Sequence, residues 1–276
     1  MASYCEARTH GARWLLRIED VDAPRTVEGA AERQISVLAE LGFEWDGPIV
    51  YQSRRTEAYA AALERLLASG AAFACACTRK EIADSQARGS PASDELVYPG
   101  TCRNGIPPGR LPRSVRVLAG TDTIEFDDAL QGRTRQNLAE EVGDFVVRRA
   151  DGLFAYQLAV VVDDAEAGVT DIVRGADLLG STPRQIHLQR LLGYTTPRYA
   201  HVPVAVNSAG EKLSKQTLAP AIDPHDGSRA LLRALSFLGQ DAPDELGRAT
   251  ASEVWQWALA HWSLDRVPRV RSIHAG

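Results

Sequence analysis

Short apolar strands alternate with amphipathic helices along most of this chain, and this alternation constrains its fold more than any other feature. The first unit is a strand at 13–18, a polar loop at 19–24 and a helix that ends near Leu41. The same order returns later in the chain, at helix 154–162, strand 170–173, helix 177–192 and strand 201–206. Strands separated by helices pair in parallel. We therefore predict an α/β fold built on a doubly wound parallel sheet.

An inserted module and a helical tail accompany this sheet. A polar, Gly/Pro/Ser-rich segment follows the short strand 72–77, and further strand patterns come after it, at 114–117, 123–126 and 144–149. These strands have no helices between them, which is typical of antiparallel pairing. We divide the chain into a first sheet segment, an inserted module, a second sheet segment and a tail, at 1–74, 75–150, 151–223 and 224–276.

Composition excludes several classes of protein. The 276 residues are 45% hydrophobic and 24% charged, so the chain is neither disordered nor collagen-like. No apolar stretch approaches the length of a membrane span, and no leader pattern follows Met1, so we expect a soluble, cytoplasmic protein with no membrane partner. The net charge of −5 offers no global basic field, so nucleic-acid binding must rest on motifs. A monomer is the plain expectation.

Lysine is scarce in this chain. Of 31 basic residues only Lys80, Lys212 and Lys215 are lysines, and two of them share the segment Lys212-Leu-Ser-Lys215 after a strand and a turn. A lysine is a compact point charge that suits phosphate groups. The segment indicates a phosphate-binding loop, with an exposed basic hairpin as the alternative.

Three of the four cysteines are close together in sequence. Cys75-Ala-Cys77 lies in a strand pattern, which puts both thiols on one face, and Cys102 returns after a turn-rich excursion. Three thiolates can share one tetrahedral zinc ion that has a fourth ligand. We predict a zinc site here. The alternative is three free, buried cysteines.

The fourth zinc ligand is open at this point. No histidine lies between residues 67 and 130, so an oxygen ligand is needed. Tyr98, four residues before the last cysteine of the cluster, is a candidate. Asp94 and Glu95 are the next candidates.

Carboxylates collect at the carboxyl end of the first predicted strand, where ligands bind in open α/β sheets. They are Glu19, Asp20 and Asp22. Such a group can hold an ammonium ion, or it can simply cap the next helix from a solvated loop. From the other half of the sheet, Tyr156 can supply a hydroxyl and Arg174 a two-pronged donor for a carboxylate.

Together these segments resemble the catalytic domain of the class I glutamyl-tRNA synthetases. The motifs that carry the resemblance are Arg17-Ile-Glu-Asp20, the run from Asp144 through Tyr156 to Asp164, Arg174 to Leu179, Thr182-Pro-Arg-Gln185 and Lys212-Leu-Ser-Lys215. The match extends from about residue 2 to 219. It implies the Rossmann-like sheet of class I aminoacyl-tRNA synthetases, and it implies that the two-lysine segment is the family's KMSKS-type loop.

The resemblance also implies roles for individual residues. Glu19 would hold the α-amino group of glutamate, and Tyr156 and Arg174 would bind the amino acid, with Arg174 on its side-chain carboxylate. Lys215, with Lys212 nearby, would be catalytic, because it would contact ATP and neutralise charge developing on the phosphates. Mg²⁺ is expected on the triphosphate.

The short tail resembles one branch of this family, the glutamyl-Q type, in which no large anticodon-binding region follows. Members of this branch use ATP to activate glutamate and transfer it to the queuosine base of tRNA(Asp), so they are tRNA-modifying ligases. Their Cys-x-Cys and Tyr-x-x-x-Cys pattern implies that Tyr98 is the fourth zinc ligand. The alternatives are a truncated glutamyl-tRNA synthetase that charges tRNA(Glu), and an inactive RNA-binding remnant.

The sequence departs from the family at its start. Family members begin with a strand, a phosphate-binding loop and a His-x-Gly-Ser signature, and none of these precedes the helix at 2–10, which also lacks a capping residue. We therefore expect this polypeptide to be weakly active or inactive. A start placed too far downstream is the favoured explanation, and a degenerate gene is the alternative.

Overall fold

The computed structural model describes residues 1–22, 26–86, 97–213 and 222–275. The helices in these ranges are α1 (Ala2–Thr9), α2 (Ala30–Glu40), α3 (Thr56–Ala68), α4 (Arg79–Gln86), α5 (Leu138–Glu141), α6 (Tyr156–Glu166), α7 (Thr182–Leu192), α8 (Gly227–Phe237) and α9 (Ala251–His261). The strands are β1 (Arg17–Ile18), β2 (Val50–Tyr51), β3 (Ala72–Cys75), β4 (Ser114–Val117), β5 (Thr123–Asp128), β6 (Gly132–Asn137), β7 (Phe145–Arg148), β8 (Asp171–Gly175), β9 (Arg198–Val202), β10 (Val204–Val206) and β11 (Ser272–His274).

The predicted α/β fold with parallel strands is confirmed, although the described parallel strands form separate sheets and not one continuous doubly wound sheet. In the four-stranded sheet β6-β5-β9-β8, β9 pairs in parallel with both of its neighbours. Two further parallel pairs, β1 with β2 and β10 with β11, lie outside this sheet. The edge strand β6 is an addition that the sequence did not predict, because its residues, Gly-Arg-Thr-Arg-Gln-Asn, are polar and only partly buried.

An antiparallel sheet forms around the predicted insertion, from two of the three strands predicted for it, β4 and β7, and from β3, which lies almost wholly before residue 75. Its strand order is β3-β4-β7, with Phe73 opposite Arg116 and Val117 opposite Phe145. Strand β5, which follows β4 in the chain, instead joins the α/β sheet through the pair Asp128 and Tyr199. The antiparallel sheet is therefore connected directly to the α/β sheet through β5.

One helix differs from its predicted form. The segment 177–192 was predicted as a single helix, but it begins as a 3₁₀-helix at Ala176–Ser181 and becomes α-helical only at α7. Pro183 occupies the first turn of α7, where a proline costs no intrahelical hydrogen bond. The first two turns of α7 lie beside the carboxyl end of β8, since Arg174 of β8 donates to Thr182 and Gln185.

The main core lies between α3, α6 and α7 and the strands beneath them. It is formed by side chains that are almost fully buried, such as Leu66, Leu158, Ile186 and Leu188. No helix of the described ranges is long and apolar enough to cross a membrane; the longest, α3, has 13 residues.

A second core joins the helical tail to the first helix. Tyr4 of α1 lies edge-on to Trp14, Phe43 and Trp255, with ring centroids 4.8–5.2 Å apart. The indole nitrogen of Trp255 donates to the Leu41 carbonyl at 2.7 Å. The predicted tail is therefore part of the folded body, and β11 extends this attachment by pairing with β10.

Candidate active site and metal centre

Three predicted ligand-binding residues face one region at the carboxyl ends of β1 and β8. Glu19 directly follows β1, Tyr156 begins α6, and Arg174 lies on β8. Burial raises the pKa of Tyr156, the nearby Glu19 carboxylate raises it further, and the Arg174 guanidinium opposes the rise. Charged groups of both signs therefore lie near this tyrosine: the carboxylates of Glu19 and Asp164 and the guanidinium groups of Arg174 and Arg17.

The three carboxylates after β1 have different hydrogen-bond partners and different exposure. Asp20 accepts hydrogen bonds from the backbone amide and the hydroxyl of Ser53, at 2.8 and 2.7 Å. Asp22 accepts one from Arg149 at 2.7 Å. Glu19 is more exposed, with 42% of its side chain accessible, and its oxygen lies 3.0 Å from an Arg17 nitrogen. Asp20 and Asp22 thus hold the loop, and Glu19 is the candidate ligand.

A network centred on Asp163 fixes the orientation of α6. This carboxylate is buried and accepts hydrogen bonds at 2.5–2.8 Å from Gln52, Arg55 and Tyr59. Beside it, Asp164 accepts from Arg17 at 2.5 Å. The network joins α6 to β1, to α3 and to the turn before α3. Sequence reasoning did not assign it, although two adjacent acids in an otherwise apolar run were a usable signal.

Arg174 is held by polar groups on three sides. Its Nη2 donates to Thr182 Oγ1 at 2.9 Å and to Gln185 Oε1 at 2.8 Å, and its Nε donates to His201 Nε2 at 3.1 Å. Its guanidinium carbon lies 5.5 Å from the centre of the Tyr199 ring. Sequence reasoning singled out Arg174 but did not assign a role to His201, which lies opposite it in the β8–β9 register.

The two-lysine segment is described in part. Lys212 forms a bridge with Val206 at the end of β10, and its Nζ donates to Asp177 Oδ2 at 2.6 Å. The side chain is 54% exposed, next to the 3₁₀-helix that leads from β8 to α7. Lys215 lies outside the described residues.

The predicted metal ligands meet in one buried cluster. The sulfur atoms of Cys75, Cys77 and Cys102 all lie within 4.8 Å of one another, a spacing that can hold a metal ion. The hydroxyl of Tyr98 lies 3.4 Å from the first of these sulfurs and 3.6 Å from the second. Three cysteine sulfurs are common ligands of a tetrahedral zinc ion, and the neighbouring Tyr98 oxygen is the candidate for the fourth position. Asp94 and Glu95 lie outside the described residues.

A cation borders this cluster. Arg116 Nε donates to Cys75 Sγ at 3.4 Å, and its guanidinium carbon lies 4.1 Å from the centre of the Tyr98 ring. Burial raises the pKa of Cys75, but hydrogen bonds from Tyr98, the Cys77 amide and Arg116 outweigh it and hold that pKa below its usual value. At Cys75 these contacts favour the thiolate, the form of cysteine that binds metals, whereas burial and the neighbouring thiols raise the pKa of Cys77.

The segment that carries Tyr98 is attached to the antiparallel sheet at two points. Arg103 donates two hydrogen bonds to the buried carboxylate of Asp144, at 2.6 and 2.9 Å. Tyr98 also forms a backbone bridge with Gly143, whose φ is +71°. A Cβ at that glycine would lie only 2.6 Å from the Tyr98 nitrogen, so the bridge requires glycine there.

Replacing Gly143 with alanine is expected to lower the free energy of unfolding by more than the cost of a non-glycine residue at positive φ, because the added Cβ also clashes with Tyr98. A non-glycine residue in this conformation costs about 1–3 kcal/mol, and displacement of Tyr98 adds to that cost. Gly152→Ala is the matched control, because Gly152 has a φ of +86° with nothing within 4 Å of the added Cβ. Thermal unfolding of both variants measures the difference, and equal losses of Tm would contradict the predicted clash.

Comparison with known proteins agrees with this arrangement. The family model of class I tRNA synthetases (E and Q), catalytic domain, matches residues 1–239. The glutamyl-Q tRNA(Asp) synthetase of Aromatoleum aromaticum is 61% identical over 270 residues, which cover 98% of this chain and 84% of that protein. The protein of the same name from Dechloromonas aromatica is 58% identical over 269 residues, covering 98% of this chain and 89% of its own length.

Solved structures show the same fold at lower sequence identity. The glutamate-tRNA synthetase of Elizabethkingia anophelis superposes with a TM-score of 0.77 at 23% identity, over all of this chain and 63% of that one. The glutamate tRNA ligase of Elizabethkingia meningosepticum gives 0.76 at 24% identity, over 97% of this chain and 61% of its own. The chain belongs to the class I tRNA synthetases (E and Q), a family of ligases, and its relatives at 58–61% identity are glutamyl-Q tRNA(Asp) synthetases.

Proposed function

We propose that this chain activates glutamate with ATP and transfers it to the queuosine base of tRNA(Asp). The observation that carries the proposal is the Arg174 guanidinium, which three hydrogen bonds hold at the carboxyl end of β8, in the same half of the fold as the exposed Glu19 carboxylate after β1 and Tyr156 at the start of α6. A free amino acid with an acidic side chain carries the complementary charges. The 61% identity to a glutamyl-Q tRNA(Asp) synthetase supports queuosine as the acceptor.

Arg174 would select glutamate over glutamine. Its Nε and Nη2 are occupied by neighbouring side chains, whereas Nη1 makes no hydrogen bond within the described ranges. A carboxylate at Nη1 would pair with the half-buried guanidinium, and a neutral amide would leave that charge uncompensated. Glu19 would bind the α-ammonium group at the opposite side of the site.

Activation would join the glutamate α-carboxylate to the α-phosphorus of ATP, with release of pyrophosphate. Lys215 and Lys212 would neutralise the charge that develops on the phosphates. Lys212 forms an ion pair with Asp177, which lies in the 3₁₀-helix that leads from β8 to α7. Mg²⁺ on the triphosphate would supply further charge neutralisation. In the second step a queuosine hydroxyl would attack the acyl carbon, and AMP would leave.

We also propose a structural zinc ion on Cys75, Cys77, Tyr98 and Cys102. The ion would tie the end of β3 to the segment around Tyr98, which otherwise contributes few apolar side chains. In this proposal the inserted part 75–150 stabilises the catalytic parts 1–74 and 151–223. The tail 224–276 packs against α1.

Incubating the protein with labelled glutamate, ATP and purified tRNAs would test the proposed reaction. We expect label on tRNA(Asp) from cells that make queuosine, and none on the same tRNA from cells that lack it. Nuclease digestion would place the label on the anticodon nucleoside. Charging of the 3′ end of tRNA(Glu) would instead identify a glutamyl-tRNA synthetase, and an absence of glutamate-dependent pyrophosphate exchange would indicate a remnant.

A further inference from the structure

We propose that Asp128 and His201 are positioning residues that orient Arg174 toward the amino acid. The proposal rests on the glutamate site put forward above and adds two residues to it. Both side chains are fully buried, so neither can touch the substrate. Their influence would pass through the hydrogen bond from Arg174 Nε to His201 Nε2.

Asp128 is built to remain an anion. It ends β5, and its oxygens accept hydrogen bonds from the backbone amides of Leu130, Gln131 and His201 at 2.9–3.1 Å, and from His201 Nδ1 at 2.5 Å. Burial alone would raise the pKa of this carboxyl, but these hydrogen bonds outweigh burial and hold the pKa below its usual value. An ionised carboxylate can only accept hydrogen bonds.

The carboxylate therefore determines which nitrogen of His201 carries the proton. Because Asp128 accepts at Nδ1, that nitrogen must bear the hydrogen. The other nitrogen, Nε2, then has a lone pair that accepts from Arg174, which has only donors; the Thr182 hydroxyl, 3.2 Å from the same nitrogen, can donate to it as well. A proton on Nε2 would place two donors 3.1 Å apart. The neutral Nδ1–H tautomer is the form that satisfies both contacts.

This tautomer leaves one part of the guanidinium for a ligand. Arg174 Nε has a single hydrogen, which His201 accepts, and the two hydrogens of Nη2 go to Thr182 and Gln185. With three of its five hydrogens used by buried acceptors, the plane of the guanidinium is fixed. The two hydrogens of Nη1 then point in one set direction, which a substrate carboxylate can use without first ordering the side chain.

The substitution Asp128→Asn tests this chain of contacts with almost no change in shape. The asparagine amide can donate to Nδ1, which would move the imidazole proton to Nε2 and break the contact with Arg174. We expect the glutamate Kd, measured by calorimetry, to rise roughly 10- to 100-fold, because a small misplacement of a positioning group has effects of this size. The ATP Kd should stay within about twofold.

Asp46→Asn is the matched control. Like Asp128, Asp46 accepts from one side chain, in its case Arg8 at 2.7 Å, and from backbone, the amide of Trp14 at 2.8 Å; it has no contact with Arg174 or His201. If both variants weaken glutamate binding equally, or if Asp128→Asn leaves it within twofold, the proposal is wrong.

A spectroscopic measurement tests the same proposal in the unaltered protein. The ¹⁵N chemical shifts of the His201 ring report which nitrogen is protonated, and we expect the Nδ1–H form. An Nε2–H or doubly protonated ring would overturn the proposal even if glutamate binds. If the protein binds no glutamate, the proposed function is wrong. The ¹⁵N shifts of the His201 ring still test, independently of glutamate, whether Asp128 and His201 position Arg174.

Discussion

Replacing Arg174 with lysine is expected to lower kcat/KM for glutamate about 1,000-fold, although the positive charge is retained. The guanidinium satisfies three buried acceptors at once, on Thr182, Gln185 and His201. A lysine ammonium is a single point of charge and cannot reach all three and the substrate carboxylate. Sites built to pair one polar group lose several orders of magnitude in specificity when the pairing fails. Glutamate-dependent pyrophosphate exchange would measure the loss.

Arg190→Lys is the control for this prediction. Arg190 lies on the same stretch of chain, near the end of α7, and is exposed. Its exchange should leave kcat/KM within about twofold, because surface arginines contribute little to a distant site. If Arg174→Lys retained more than about a tenth of the specific activity, another group would have to bind the side-chain carboxylate, and the role assigned to Arg174 would be wrong.

Replacing Cys102 with serine is expected to remove zinc and to loosen the inserted module. A serine hydroxyl stays protonated at neutral pH, so the site would lose one of its three thiolates. Metal binding at a structural site contributes directly to the free energy of folding. We expect the zinc content to fall from about one ion per chain to near zero, with a decrease in Tm of roughly 10 °C. Elemental analysis and thermal unfolding are the measurements.

Cys5→Ser is the matched control for the zinc prediction. Cys5 is as deeply buried as the cluster cysteines, but it lies on α1 in the second core, which contains none of them. The Cys5→Ser variant should have a lower Tm only because apolar packing around residue 5 is lost, and its zinc content should be unchanged. Tyr98→Phe should weaken zinc binding less than Cys102→Ser, since the three thiolates remain. Full zinc content in both cluster variants would contradict the four-ligand site.

Sequence patterns predicted those parts of the fold that depend on local regularity. The strand Ser114–Val117 has the predicted bounds, and the predicted helical tail contains the helices α8 and α9. The edge strand β6 was not predicted, because one face of it is solvated and its polar residues lack an apolar alternation. The helix α4 was not predicted either, since its mean composition is that of a polar loop.

In the candidate site, too, residue types could be predicted from the sequence, but long-range contacts could not. Residue types and the family resemblance were enough to single out Glu19, Tyr156 and Arg174. Two of the clustered carboxylates stabilise the loop through distant partners. Asp20 accepts from Ser53, 33 residues away, and Asp22 accepts from Arg149, 127 residues away. Long-range hydrogen bonds of this kind leave no local pattern in a sequence, so only the folded structure separates structural acids from candidate ligands.

The contact between α1 and α9 has a consequence for how this protein is made. Glu6 accepts a hydrogen bond from Trp262 Nε1 at 2.7 Å, and Tyr4 packs against Trp255, so the aromatic cluster joins residues more than 250 positions apart. At a synthesis rate of about 5–20 residues per second, Tyr4, Trp14 and Phe43 wait roughly 10–50 s for their partner. During that interval the nascent chain displays aromatic surface to the ribosome and to chaperones, and closure of so long a loop is slow.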